Sequence, residues 1–201
     1  MKPHLIIKNI ILLVVFSTLF ALMHGFNIWI SENFSLSDNV SYIYLPAFFR
    51  LLNVLVLGMT LGTTTTACGR IIFFIPTYGF SPSELIHVAA SCSGALFALL
   101  MFQFIKERPV HITQIYDLAT LAGIYALFNA LFHDMAWANT DPNQLIAVSQ
   151  LPIMVVGDFV GTIFGIFLFV RIANLTGLTK FAKNQTKKLI RTSFTARQVN
   201  T

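Results

Sequence analysis

Long apolar runs separated by short polar connections set the pattern of this chain. Residues 9–30, 44–62, 83–105, 113–132 and 147–170 are each mostly apolar. A helix needs about 20 such residues to cross a bilayer core ~30 Å thick. The first run stands behind Lys2 and Lys8, as a secretory signal would. Its apolar stretch is longer than the ~7–15 residues of a signal core, and no clear small-x-small cleavage site follows it. It reads as a retained first helix. Residues 63–80, TTTTACGRIIFFIPTYGF, are less regular, because Gly62, Gly69, Pro76 and Gly79 interrupt them. This segment is expected to be a short or broken helix whose freed backbone groups find protein or water partners.

The basic residues then count the crossings, since Lys and Arg near helix ends mark the cytoplasmic side. Eleven of the thirteen are Lys2, Lys8, Lys106, Arg108, Arg171, Lys180, Lys183, Lys187, Lys188, Arg191 and Arg197. They fall at the N-terminus, in one short connection, and after the last run. The connections 31–39 and 134–143 carry Glu32, Asp38, Asp134 and Asp141 but no Lys or Arg. Both termini are therefore expected inside and the acidic connections outside. That demands an even number of crossings, and the five regular runs need residues 63–80 as a sixth. The expected fold is an all-α integral membrane protein, a bundle of six transmembrane helices with the third short or broken. It occupies residues 1–173, and residues 174–201 form a basic cytoplasmic tail.

Composition supports this reading. Apolar residues make up 56% of the chain and charged ones 10%, against ~25% charged in ordinary soluble domains. Twenty Phe and so few charges exclude a disordered chain, a coiled coil and a nucleic-acid-binding domain. The tail is the exception, with six basic residues, no acid, and Leu178, Phe181, Leu189, Ile190 and Phe194 interspersed. Anionic lipid attracts such a segment at roughly 1 kcal/mol per basic residue, and a cytoplasmic partner protein is the alternative surface for it. Cys68 and Cys92 lack the spacing of a disulfide framework or zinc ribbon. No P-loop or dinucleotide fingerprint is present, so no cofactor is expected.

Ionisable side chains inside spans are costly and face a bundle interior or a wet cavity. With the topology above, the first helix places His24 and Asn27 in its outer third, and the second places Arg50 and Asn53 in its outer half. The fourth begins outside with Glu84 and His87, and the fifth ends outside with Asn129, His133 and Asp134. In the sixth, Asp158 lies roughly 16 Å below Ala147 at 1.5 Å rise per residue. The pairs His24/Asn27, Arg50/Asn53, Glu84/His87 and Asn129/His133 each occupy one helical face. One-sided polar faces at one depth predict an outward-opening polar pocket, with Arg50, Asn53, Asp158, His24, Glu84, His87 and His133 as its ligand-binding residues. Arg50 is the expected partner of Asp158 in a buried ion pair. Such a pair can equally serve only to fix the helix arrangement.

Catalytic and metal signatures are incomplete. Glu84-x-x-His87 matches half of a carboxylate-bridged metal motif, and the second half is missing. Ser91-Cys92-Ser93-Gly94 resembles the nucleophile stretch of rhomboid intramembrane proteases, with Ser93 at the nucleophile position. The helix that should carry the base offers Asp158 instead of a histidine. No metal and no enzymatic activity are expected, and an intramembrane protease is the lesser alternative. Glycines spaced as Gly157, Gly161 and Gly165 read as helix-packing surfaces.

Two stretches together resemble a known family. Tyr44-Leu45-Pro46-Ala47 with Arg50 and Gly58, followed by Gly62 and Gly69, is similar to the entry of bacterial membrane-associated sensor (MASE) domains. Val156-Gly157-Asp158-Phe159-Val160-Gly161 resembles their G-D-x-x-G helix. The resemblance nominates Pro46, Arg50, Gly157 and Asp158. It implies a sensing role in a bacterial inner (plasma) membrane, with output through a separate cytoplasmic signalling partner, and identifies no ligand; the polar pocket itself suits a small polar or anionic solute. A small-solute transporter, or the substrate-binding subunit of one, is the alternative, since discontinuous helices line many transport sites.

Overall fold

The computed structural model describes residues 3–31, 35–37, 40–112, 114–140 and 151–175. Six helices make up nearly all of it: α1 (Pro3–Ser31), α2 (Pro46–Leu57), α3 (Met59–Tyr78), α4 (Pro82–Lys106), α5 (Ile115–Thr140) and α6 (Leu151–Leu175). A short antiparallel pair, β1 (Ser35–Ser37) and β2 (Val40–Ser41), lies between α1 and α2. Four helices, α1, α4, α5 and α6, are long and apolar enough to cross a membrane. Residues Met1–Gly165 form one compact unit and Ile166–Thr201 a second, of which the end of α6 is described.

Cross-helix contacts give the helix directions. Ser17 donates to the Thr65 carbonyl, Gly69 packs on Phe20, and His24 stacks on Phe73. The partner numbers rise together, so α1 and α3 run parallel. Cys92 meets Thr63 while Glu84 meets Arg70, so α4 is antiparallel to α3. Gly94 packs on Asn129 and His87 reaches Thr140, which makes α5 antiparallel to α4. Gly157, Gly161 and Gly165 lie successively against Ser41, Tyr44 and Phe48, so α2 and the segment before it run alongside α6 in its own direction.

The interior is built on α2. Its Ala47, Leu51 and Val54 pack with Ala95, Ala98, Leu99 and Phe102 of α4 and with Leu121 and Tyr125 of α5. On α1 the buried stripe is Ser17, Phe20, His24 and Asn27, and most of its other large side chains are exposed, Trp29 by 67%. Phe104 is 81% exposed and Phe164 53%. Apolar surface of this extent is sustained by lipid, whereas in water it would drive aggregation. The four threonines Thr63–Thr66 each return their hydroxyl to the carbonyl four residues back. That bond removes a free donor from a helix side exposed at Thr64.

Three features depart from the expected outline. The chain breaks at Gly58, whose φ of 82° and ψ of 169° suit glycine, and α3 then runs unbroken for 20 residues with Pro76 inside it. The short helix is therefore the second, at 12 residues. It folds back on α3, with Gly62 against the Asn53 carbonyl. Helix α5 continues through Asp134 to Thr140, where an outer connection was expected to begin. Residues 32–34 and 38–39 of the first acidic connection, residues 141–150, and the basic tail from 176 onward lie outside the described residues.

The α4–α5 connection is clamped by charge. Glu107 takes a left-handed φ of 52°, and Arg108 then grips the Asp117 carboxylate with two bonds of 2.6 and 2.7 Å. The His111 backbone N–H adds a third at 3.0 Å. A carboxylate in the first turn of α5 also faces the positive end of that helix.

Candidate functional site: a buried polar network

Most of the buried polar side chains lie on the inward stripes of the helices. Arg50, on the second turn of α2, is 1% exposed. Its Nη1 donates to Asn129 Oδ1 at 2.7 Å and lies 3.3 Å from His133 Nε2, and its Nη2 donates to the Tyr44 hydroxyl at 2.9 Å. A guanidinium has no acceptor atom, so His133 Nε2 must accept and the ring proton sits on Nδ1. Tyr44 Oη in turn lies 3.5 Å from His24 Nδ1. The Arg50 guanidinium also faces the Tyr44 and Phe20 rings, at 5.3 and 5.9 Å.

Asp158 is also 1% exposed, and it does not meet Arg50 directly. Asn129 stands between them: its Nδ2 donates to Asp158 Oδ2 at 2.7 Å while its Oδ1 accepts from Arg50. The expected ion pair is thus a bridged one. The carboxamide fits because it offers a donor and an acceptor on one planar group. Its position is set by Gly94, which lets α4 approach the α5 backbone at Asn129.

A second arm runs through His133 to α3 and α4. Ser91 Oγ lies 3.4 Å from His133 Nε2 and 3.1 Å from Arg70 Nη1. Arg70 Nη2 lies 3.6 Å from a Glu84 oxygen, and its Cζ stacks 4.0 Å over the Phe74 ring. Glu84 retains 23% exposure and borders a shallow crevice shared with Arg70, Phe74 and Phe80.

The other expected site residues take lesser places. His87 reaches Thr140 Oγ1 at 3.1 Å and stacks on His133 with centroids 6.4 Å apart. Asn53 donates to Thr66 Oγ1 at 3.1 Å, apart from the main network. His24, His87 and His133 are buried, so of the expected rim residues Glu84 alone borders the crevice. Ser93, the nucleophile position in the protease resemblance, is half-buried and bonds its own helix at the Ala89 carbonyl. Among the described residues no cluster of three His, Cys, Asp or Glu side chains is arranged to hold a metal ion.

The backbone around Tyr44 completes the site. Before α2 the chain is not helical, and its freed groups are taken up by protein. Tyr44 N–H donates to the Gly157 carbonyl at 3.1 Å, and Leu45 N–H to Asn27 Oδ1 at 2.9 Å. Irregular backbone at membrane depth is tolerated only with such partners. The side chains missed by sequence reasoning are Tyr44, Arg70, Ser91 and Thr140. For Arg70 a signal existed, since it and Arg50 are the two basic residues left over from the positive-inside count. No family model, curated protein or solved structure matches the chain.

Proposed function

We propose that the protein is a small sensor or ligand-binding module of a bacterial inner membrane, spanning it several times with both termini cytoplasmic. Its six helical segments are four full crossings and the pair α2–α3. At 1.5 Å per residue, 12 residues cover roughly 18 Å, short of the ~30 Å core. Helix α2 enters from the outer side and α3 returns there. This pairing keeps the even count that the segregated basic residues require.

The observation that carries the binding reading is the Arg50 environment. A buried guanidinium held by neutral groups, Asn129, His133, Tyr44 and Tyr125, keeps a field that no direct carboxylate cancels. Helix packing alone does not call for so many buried polar groups, and intramembrane ionisable residues are functional by default. The four positions nominated by the resemblance to membrane-associated sensor domains support the same region. Gly157 accepts from Tyr44, Pro46 opens α2, and Arg50 and Asp158 share Asn129. Output then passes to a separate cytoplasmic partner.

A small-solute transporter is the second reading, favoured by the interrupted second segment with its non-helical backbone at Tyr44. Reconstituted vesicles separate the two. A binding module retains a compound detectable by native mass spectrometry and shows no uptake of it, whereas a transporter moves it. A purified protein that retains no small molecule, and whose Arg50→Gln variant behaves as wild type in every binding screen, would overturn the binding reading.

A further inference from the structure

We infer that the ligand is a small planar oxyanion, of carboxylate or nitrate size, held between Arg50 and Arg70. This rests on the binding-module reading and names the chemistry of that same site. The two guanidiniums are buried and belong to one network, joined through His133 Nε2 and Ser91 Oγ. Like charges held together in a low-dielectric interior repel strongly unless a counter-charge lies among them.

Neither carboxylate of the network fills that role fully. Asp158 is separated from Arg50 by Asn129, which uses its own two polar atoms on the two of them. Glu84 approaches Arg70 at 3.6 Å, beyond hydrogen-bond length, and is partly exposed. Donors remain over. Arg70 Nε and His24 Nε2 are buried with no hydrogen-bond partner among the described residues, and the Glu84 Oε2 beside Arg70 has none either, whereas Arg50 has Tyr125 as a further partner. Buried donors of this kind call for an acceptor, and a guanidinium fork matches a planar anion through two parallel bonds. Phe20 and Phe73 pack against His24, so the site is walled by rings that exclude water. The crevice that Glu84 borders reaches Arg70 and not Arg50, so an anion arriving there meets Arg70 first.

The test uses the full chain in nanodiscs of zwitterionic lipid, titrated with sodium formate or sodium nitrate. Sodium gluconate at equal ionic strength is the control. Saturable calorimetric binding of formate and nitrate, absent with gluconate, is expected. Arg70→Gln should raise the apparent Kd at least tenfold, while Glu84→Gln, which removes the carboxylate that competes for Arg70, should lower it. Arg70→Lys keeps the charge and removes the fork, so it should lose preference for formate over chloride; it carries the test if Arg70→Gln does not fold. No saturable binding, or equal affinity in wild type and both Arg70 variants, overturns the inference. A neutral or cationic compound found in the wild-type protein by native mass spectrometry also overturns it, and leaves the binding module standing.

Discussion

Gly161→Ala tests whether the non-helical backbone at Tyr44 is seated on α6. A methyl group there would sit 2.5 Å from the Tyr44 carbonyl carbon, and closer still to its oxygen, where ordinary contact begins at 3.4 Å. Backbone cannot swing aside as a side chain can, so the Tyr44 segment must retreat by roughly 1 Å, and overpacking of this kind costs about 1–3 kcal/mol. The retreat also strains the Tyr44 N–H bond to Gly157 and the Tyr44 hydroxyl bond to Arg50, adding about 1 kcal/mol for each bond lost. A total of roughly 3–5 kcal/mol is expected where both bonds are lost. Gly123→Ala is the control, because a methyl there meets only Phe159 at 4.0 Å; replacing a helical glycine in open space stabilises by about 0.5–1 kcal/mol. Both variants are read by reversible unfolding in mixed micelles. If Gly161→Ala proves as stable as Gly123→Ala, the glycine seat for the Tyr44 backbone is wrong.

The Asn129 bridge predicts a conditional coupling. Arg50→Gln and Asp158→Asn should each destabilise, their double variant should recover part of the loss, and the coupling of about 0.5–3 kcal/mol should collapse on an Asn129→Ala background; strict additivity with Asn129 present would refute the bridge. Topology is checked by single cysteines in a variant lacking Cys68 and Cys92: Ser37 should label from outside and Thr201 from inside, and labelling of both from one face overturns the proposed sidedness. For the tail, replacing Lys183, Lys187, Lys188 and Arg191 with Gln should weaken its contact with anionic bilayers in a salt-dependent way. Equal contact with neutral and anionic vesicles refutes that placement.

Polar periodicity was the most legible feature of the sequence. His24/Asn27, Arg50/Asn53 and Asn129/His133 all sit on buried faces, because in an apolar environment the costly residues are the ones forced inward. The helix break was legible in kind and misplaced by several residues. Gly58 lies between Leu57 and Met59 inside an unbroken apolar run, and hydropathy does not register a positive φ when both flanks stay apolar. The glycines and proline of residues 63–80 drew attention instead, yet Gly69 serves close packing on Phe20 and Pro76 is carried within the last turn of α3. Arg70 lies in the same segment, where glycines and proline are the stronger local signal and mask a single buried charge. Which helix lies beside which is fixed by contacts between residues far apart in sequence, so the pairing of α1 with α3 had no local signature.

The bridged arrangement of Arg50 and Asp158 bears on function as well as on stability. A direct bidentate pair would satisfy both charges at once and leave little field for anything else. Such a pair is often replaceable by apolar residues without loss. Interposing Asn129 changes this: the carboxylate is anchored by a neutral donor, and the guanidinium keeps donor capacity and much of its charge. His133 and Tyr44 are neutral partners of the same kind, so Arg50 is oriented from three sides without being neutralised. Orientation without neutralisation keeps a buried cation ready for an arriving anion, since little rearrangement is then needed on binding. On the proposed binding reading the network's stability depends on its ligand, since ligand binding raises stability by mass action. A binding module of this construction is therefore expected to be least stable when empty, and its melting temperature to rise with formate or nitrate in wild type but not in Arg50→Gln. An equal rise in both proteins would show that the salt acts on the surface and not on Arg50.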